Sequence, residues 1–147
     1  MATRRRSDRP LRDGGSKRRD ERGSGERRSA ERRSADRFGR WAESLCVLRL
    51  RLAGYRILAR RFRCPAGEID LIARRGALLA MIEVKARRGG DGLEAVSRAQ
   101  SRRSEAAALS FLARHPRLAG LGLRYDIMLV AKRGWPRHLR DAWRPKA

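Results

Sequence analysis

Acidic residues are scarce in this chain of 147 residues: 16 Asp and Glu stand against 38 Lys and Arg, a formal net charge of +22. So one-sided a balance points to a polyanionic partner, and nucleic acid is the commonest one. Cysteine is scarcer still. Cys46 and Cys64 have neither zinc-type spacing nor a partner motif, so they are expected to be reduced thiols in a cytoplasmic protein. His115 and His138 are isolated from each other and from the cysteines, and neither is assigned a metal role. Aromatic residues make up 5% and do not interleave with basic ones, so no stacking platform for single strands is legible. No apolar run approaches the ~20 residues of a membrane helix. The basic N-terminus lacks the apolar core of a signal peptide, so neither membrane insertion nor export is expected. The length suits one ordinary domain rather than two.

What is present divides near residue 37. Residues 1–37 hold 14 Lys/Arg and 7 Asp/Glu, a net of +7, and Leu11 is their only large aliphatic residue besides Met1. Such a segment cannot bury enough apolar surface to offset its ordering entropy, and disorder is expected. The repeat Glu26-Arg27-Arg28-Ser29-Ala30 and Glu31-Arg32-Arg33-Ser34-Ala35 supports transient helix through acid–base pairs. A basic arm on nucleic acid and a dispensable extension are both open readings. Residues 38–147 carry 24 basic and 9 acidic residues, a net of +15, so this part is basic without the tail.

The spacing predicts a helix from Phe38 to Ala53, stopped by Gly54. Trp41, Leu45, Leu48 and Leu52 follow the period of a packing stripe. Glu43 shares a second row with Val47 and Leu50, beside Cys46, instead of standing with Arg40, Arg49 and Arg51. A half-exposed carboxylate with a nearby arginine is the ordinary explanation of such a residue. Three strands are expected at Tyr55–Arg63, Gly67–Ala73 and Ala77–Lys85, the last two joined by Arg74-Arg75-Gly76. Arg87 to Gly92 reads as a flexible loop. Ser97 can cap a second helix running to Arg114 and ended by His115-Pro116. Leu123–Ala131 reads as a strand with Asp126 inside it, and Trp135–Trp143 as a last turn or strand over the core. The order α-β-β-β-α-β predicts an α/β or α+β sheet with helices packed on it, in a strand order the sequence does not fix.

Alternation along the central hairpin gathers its charged residues. Glu68 and Asp70 should point one way, Ile69 and Leu71 the other, and Glu83 and Lys85 should stand together opposite Ile82 and Val84. A turn around Arg75-Gly76 sets residue 68 across from 83, which puts Glu68, Asp70, Glu83 and Lys85 on one face. A shift of two residues keeps that parity and brings Asp70 opposite Glu83, whereas a one-residue bulge breaks it. Like charges on adjacent strands repel unless a cation or a proton intervenes. Clustered carboxylate oxygens suit Mg²⁺ or Mn²⁺ better than zinc. The competing explanation is a solvated face whose acids pair with Lys85 and nearby arginines.

Gly67-Glu68-Ile69-Asp70-Leu71-Ile72 followed by Ile82-Glu83-Val84-Lys85 resembles the YraN family of bacterial proteins, predicted nucleases of the PD-(D/E)XK superfamily. The resemblance extends through Phe38 to Glu43, Gly54 to Leu58, Ala95 to Ser97, Arg124 to Asp126 and His138 to Trp143. It covers nearly all of 38–147 and none of 1–37. It implies a restriction-endonuclease-like core, a mixed β-sheet flanked by helices, and a Mg²⁺- or Mn²⁺-dependent DNA endonuclease acting on branched or otherwise structured DNA. It makes Asp70 and Glu83 metal ligands with the Val84 carbonyl a third. Lys85 would orient or help deprotonate the attacking water and stabilise the charged phosphate. Glu43 would come from the first helix as an additional ligand or a holder of metal-bound water. The superfamily's nominal proline-aspartate pair is Ile69-Asp70 here, and Gln100 stands where the family often has lysine. Gln100 could contact phosphate or metal-bound water, and Arg98, Arg102 and Arg103 could supply DNA-backbone contacts; an exposed basic helix face explains those arginines as well. Resolvase relatives dimerise, so a homodimer is open. Two rival readings stand beside this one: a non-catalytic nucleic-acid-binding protein in recombination or repair, and an RNA- or ribosome-associated basic protein. Binding that depends on salt, ignores metal and treats RNA and DNA alike would favour the last.

Overall fold

The computed structural model describes residues 17–87 and 97–145. The chain divides into two units between Asp36 and Arg37. Helix α1 spans Lys17–Leu52, followed by β1 (Arg56–Cys64), β2 (Gly67–Arg75), β3 (Leu78–Arg87), α2 (Arg98–Arg114), a 3-10 turn (Pro116–Leu118), β4 (Gly122–Ala131) and β5 (Arg137–Trp143). The helix starts well before Phe38. Arg27 with Glu31 and Arg32 with Asp36 stand four apart, the spacing at which opposite charges support a helix that buries almost nothing. Disorder is expected over residues 1–37, but residues 17–37 are helical; the rest of that segment, residues 1–16, and the expected loop from residue 88 to Gly92 lie outside the described residues.

The five strands form one mixed sheet in the order β1-β2-β3-β4-β5. All neighbours run antiparallel except β3 and β4, which are parallel and therefore need the α2 crossover. The fold is thus α/β, with β5 as a fifth strand where either a turn or a strand was expected. No helix among the described residues is long and apolar enough to cross a membrane.

Each face of the sheet carries a separate core. Ala42, Cys46, Val47 and Leu50 of α1 pack with Tyr55 on Leu71, Ala73, Ala80, Ile82, Met128 and Val130. Ala107, Ala108 and Phe111 of α2 pack on Ile69, Ile72, Leu79, Met81 and Tyr125. The α1 contact overturns the expected packing stripe at three of its four positions: Trp41, Leu48 and Leu52 are 42%, 46% and 72% exposed, and only Leu45 packs against the core. The buried row is the second one, Ala42, Cys46, Val47 and Leu50, and that row carries Glu43 inward. Gly54, at φ 83°, ends α1 as expected, with Tyr55 N–H donating to Leu50 O at 2.9 Å.

Gly67 fixes the distance between β2 and α2. A Cβ there would lie 2.1 Å from the Arg103 carbonyl oxygen, so only glycine permits this approach. Ser97 caps α2 by accepting the Gln100 N–H at 3.2 Å, which sets Gln100 in the first turn above the sheet.

Candidate active site

The β2–β3 hairpin turns through Gly76 and Ala77, pairing Arg75 with Leu78 and Leu71 with Ile82. This register is shifted by two residues from the one that faces 68 with 83, and its next rung sets Asp70 across from Glu83. The backbone ladder stops just short of that rung. There the Asp70 carboxylate takes over from a carbonyl: Val84 N–H donates to Asp70 Oδ2 at 2.7 Å. The N–H and C=O of one strand residue project to the same side, so the Val84 carbonyl opens toward the same gap.

Alternation does not survive intact at this point. Leu71 belongs to the α1 core and Ile69, two residues away, to the α2 core. The β1 residue across from Asp70 is Arg61, between the pairs Arg60–Leu71 and Phe62–Ile69, and it holds φ 51°. The sheet therefore twists sharply at the Arg61–Asp70 rung. Asp70 consequently feels both Glu83 on the hairpin and Glu43 on α1. Burial first, then the negative charges of Glu83, Glu43 and Glu68, push its carboxyl up to about 6 against the pull of the Val84 N–H. Burial also raises Glu83, with Glu68 adding to it and Lys85 opposing.

Lys85, Glu83 and Gln100 form a closed triangle. Lys85 Nζ lies 3.2 Å from Glu83 Oε1 and donates to Gln100 Oε1 at 3.0 Å, while Gln100 Nε2 donates to Glu83 Oε1. Both ends of the Gln100 amide are thereby oriented. A cleft of about 280 Å³ beside the triangle is lined by Glu68, Glu83, Ser97, Ala99, Gln100, Arg103 and Ser104. Arg103 thus borders the same opening as Glu83, whereas Arg98 and Arg102 are exposed in the first turns of α2 without lining it.

Glu43 is buried and already engaged: Arg61 Nε donates to both its oxygens at 2.9 Å, and Arg60 lies 3.9 Å away. Burial, with the nearby charges of Asp70 and Glu43, pushes the Cys46 thiol up to about 12, so it packs as an inert neutral group. Among the described residues no three His, Cys, Asp or Glu side chains gather as a complete metal cage. The donor set nonetheless fits a hard divalent ion. Asp70, Glu83 and a backbone carbonyl supply oxygens only, and the crowding that holds Asp70 high is what a cation would relieve.

A second cluster was not foreseen. Asp126, fully buried in β4, accepts from Arg124 at 2.7 Å, from Asp141 N–H at 2.9 Å and faces His138 Nε2 at 2.8 Å; Arg124 also reaches the Tyr55 hydroxyl at 2.9 Å. His138 was read as isolated because its partner lies 12 residues away on the next strand. The role of Arg60 and Arg61 was missed too; nothing local in the sequence announces a left-handed arginine.

The model of an uncharacterised protein family, UPF0102, matches residues 42–130, which include Glu43, Arg61, Asp70, Glu83, Lys85, Gln100 and Asp126. This chain belongs to UPF0102. It is 57% identical over 110 residues to the UPF0102 protein of Parvibaculum lavamentivorans, covering 74% of this chain and 83% of that one. The UPF0102 protein of Methylorubrum extorquens is 46% identical over 136 residues, 92% of this chain and 95% of its own. The segments that resemble the YraN family at Gly67–Ile72 and Ile82–Lys85 lie inside the UPF0102 match.

Proposed function

We propose that this UPF0102 chain is a divalent-metal-dependent DNA endonuclease with a restriction-endonuclease-like core, hydrolysing phosphodiester bonds of branched or otherwise structured DNA in the cytoplasm. The observation that carries this reading is the hairpin end, where Asp70 is fastened to the backbone between Glu83 and Lys85. Asp70, Glu83 and the Val84 carbonyl would hold Mg²⁺ or Mn²⁺, with water and substrate completing the shell. When bound, such an ion supplies Lewis acidity and makes water a better nucleophile at neutral pH.

The chain's own groups do the rest. Lys85, held by two acceptors, is a fixed point charge for the negative charge that develops on the attacked phosphate. Gln100 keeps the lysine from collapsing onto Glu83 alone, since its carbonyl takes one ammonium hydrogen while its amide engages the carboxylate. Glu43, beside Asp70 on the α1 side, can order water there. Arg103 borders the cleft and would meet DNA backbone there.

Labelled linear, single-stranded, flap and four-way-junction DNA, incubated with Mg²⁺ or Mn²⁺, is the test. Cutting should require metal and fall about 100-fold or more in both Asp70→Ala and Lys85→Ala. A second reading, nucleic-acid binding without cleavage, is favoured by the lack of a complete side-chain metal cage among the described residues. Metal-independent binding with no cutting by any form would decide for it.

A further inference from the structure

Arg60 and Arg61 are consecutive in β1, and consecutive strand residues ordinarily project to opposite faces. Here both converge on one carboxylate. Arg61 Nε stands 2.9 Å from each oxygen of Glu43, and Arg60 Nη2 stands 3.9 Å from Oε2 while also donating to Ser44 Oγ at 3.4 Å. The backbone explains the convergence. Arg61 holds φ 51°, a left-handed conformation that a residue with a long side chain rarely adopts inside a strand. Such a residue re-aims side chains, and it persists only where its surroundings hold it.

One guanidinium suffices to neutralise one buried carboxylate, so the second is surplus to Glu43. Both arginine side chains are nearly half exposed, at 48% and 44%, on a strand at the edge of the sheet. Among the described residues Glu43 takes only the Nε hydrogen of Arg61, which leaves the terminal N–H groups for another acceptor. The position is also specific. Arg61 lies between the pairs Arg60–Leu71 and Phe62–Ile69, beside Asp70, and the β2–β3 register continued one step past Leu71–Ile82 reaches Glu83, so arginine, aspartate and glutamate fall in line across three strands.

We propose that Arg60 and Arg61 form a phosphate fork that grips the DNA backbone next to the phosphodiester held at Asp70 and Glu83, with Glu43 as the strut that aims both arginines. This rests on the nuclease reading of the site and adds the residues that seat the substrate there. A guanidinium presents paired donors that match two phosphate oxygens, which a lysine at either position would not reproduce.

Binding of the full chain to a short fluorescein-labelled DNA duplex, in EDTA and over a series of KCl concentrations, tests the fork without requiring cleavage. Arg61→Gly removes the guanidinium while accepting the left-handed backbone, Arg60→Ala removes its neighbour, and Arg117→Ala in the exposed 3-10 turn controls for loss of charge. Each fork variant should weaken binding several-fold and lower the slope of log affinity against log salt by about 0.9, with Arg117→Ala like wild type. Thermal midpoints identify any variant that fails to fold, and the other then decides. Wild-type affinity and slope in a folded fork variant overturn the fork, even if the protein cuts DNA. A fork effect in a chain that cuts nothing sinks the nuclease reading alone. A wild-type chain that binds neither the duplex nor a labelled four-way junction overturns the fork alone, since the nuclease reading is decided by the cleavage assay with metal.

Discussion

Asp126 is a carboxylate with no access to water that nevertheless stays ionised. Burial alone would raise it, but His138, Arg124 and the Asp141 N–H together outweigh burial and hold the carboxyl down at about 2. The same contacts lower the cost of placing an arginine in the sheet, since Arg124 is raised by Asp126 and by the Tyr55 hydroxyl. Because the folded pKa lies below the ordinary 3.8, the folded state binds fewer protons than the unfolded one between those values. The group therefore adds stability above pH 3.8 and loses it as the pH falls toward 2. Asp126→Asn leaves Arg124 uncompensated and should cost about 3 kcal/mol at neutral pH. Its thermal midpoint should also decline less than that of wild type over the acid window, as scanning calorimetry at several pH values would read. Equal acid sensitivity in the two proteins would show that Asp126 is not where the protons go. Nothing local in the sequence foretold this cluster: an acid, an arginine two residues before it and a histidine twelve residues after it meet only once β5 folds back on β4.

At the scale of the element, the decisive contact is the one between β2 and α2 at Gly67. The atom a Cβ would strike is a backbone carbonyl, which cannot swing aside as a side chain would. Gly67→Ala must therefore lift the first turns of α2 from the sheet, at about 1–3 kcal/mol, and with them Gln100, the partner of Lys85. A lowered denaturation midpoint in urea, together with slower cleavage, is the expected pair of effects; an unchanged midpoint would mean the helix has slack. The strands and α2 were legible because their signals are local: apolar runs of β-branched residues, a glycine at the hairpin and a serine cap. The nearness of Asp70, Glu83 and Lys85 was legible for the same reason, being fixed by one hairpin whose register could take only a few values. The buried face of α1 was not. Two rows shared the helical period, and the bulkier one, with Trp41 and Leu48, is exposed while Ala42, Cys46, Val47 and Leu50 face the core, a choice the period alone does not make. Neither the face reversal at Asp70 nor the pairing of Arg61 with Glu43 was legible, since both depend on a left-handed residue in β1.

Charge belongs to the molecule as a whole. Residues 1–37 contribute a net +7 and residues 38–147 a net +15, so the larger share lies in the unit that carries the acidic site. On the proposed nuclease reading, phosphate contacts made by either unit would release counterions and steepen the salt dependence of DNA binding, whereas cleavage at Asp70 and Glu83 would depend on short-range geometry. These two properties can be separated. Among the described residues no core residue lies before Arg37: residues 25–36 are exposed or only half-buried, and the packing face of α1 begins at Ala42. A chain shortened to residues 37–147 should keep the thermal midpoint of the full chain to within a few degrees. Its turnover at saturating DNA should be unchanged, and its affinity should fall with a salt slope shallower by at least about 1. If the slope is identical in the two chains, the N-terminal basic residues make no phosphate contacts and the extension is dispensable for binding. If instead turnover collapses while the midpoint holds, the N-terminal segment takes part in positioning the substrate, and the acidic hairpin is not sufficient for cleavage.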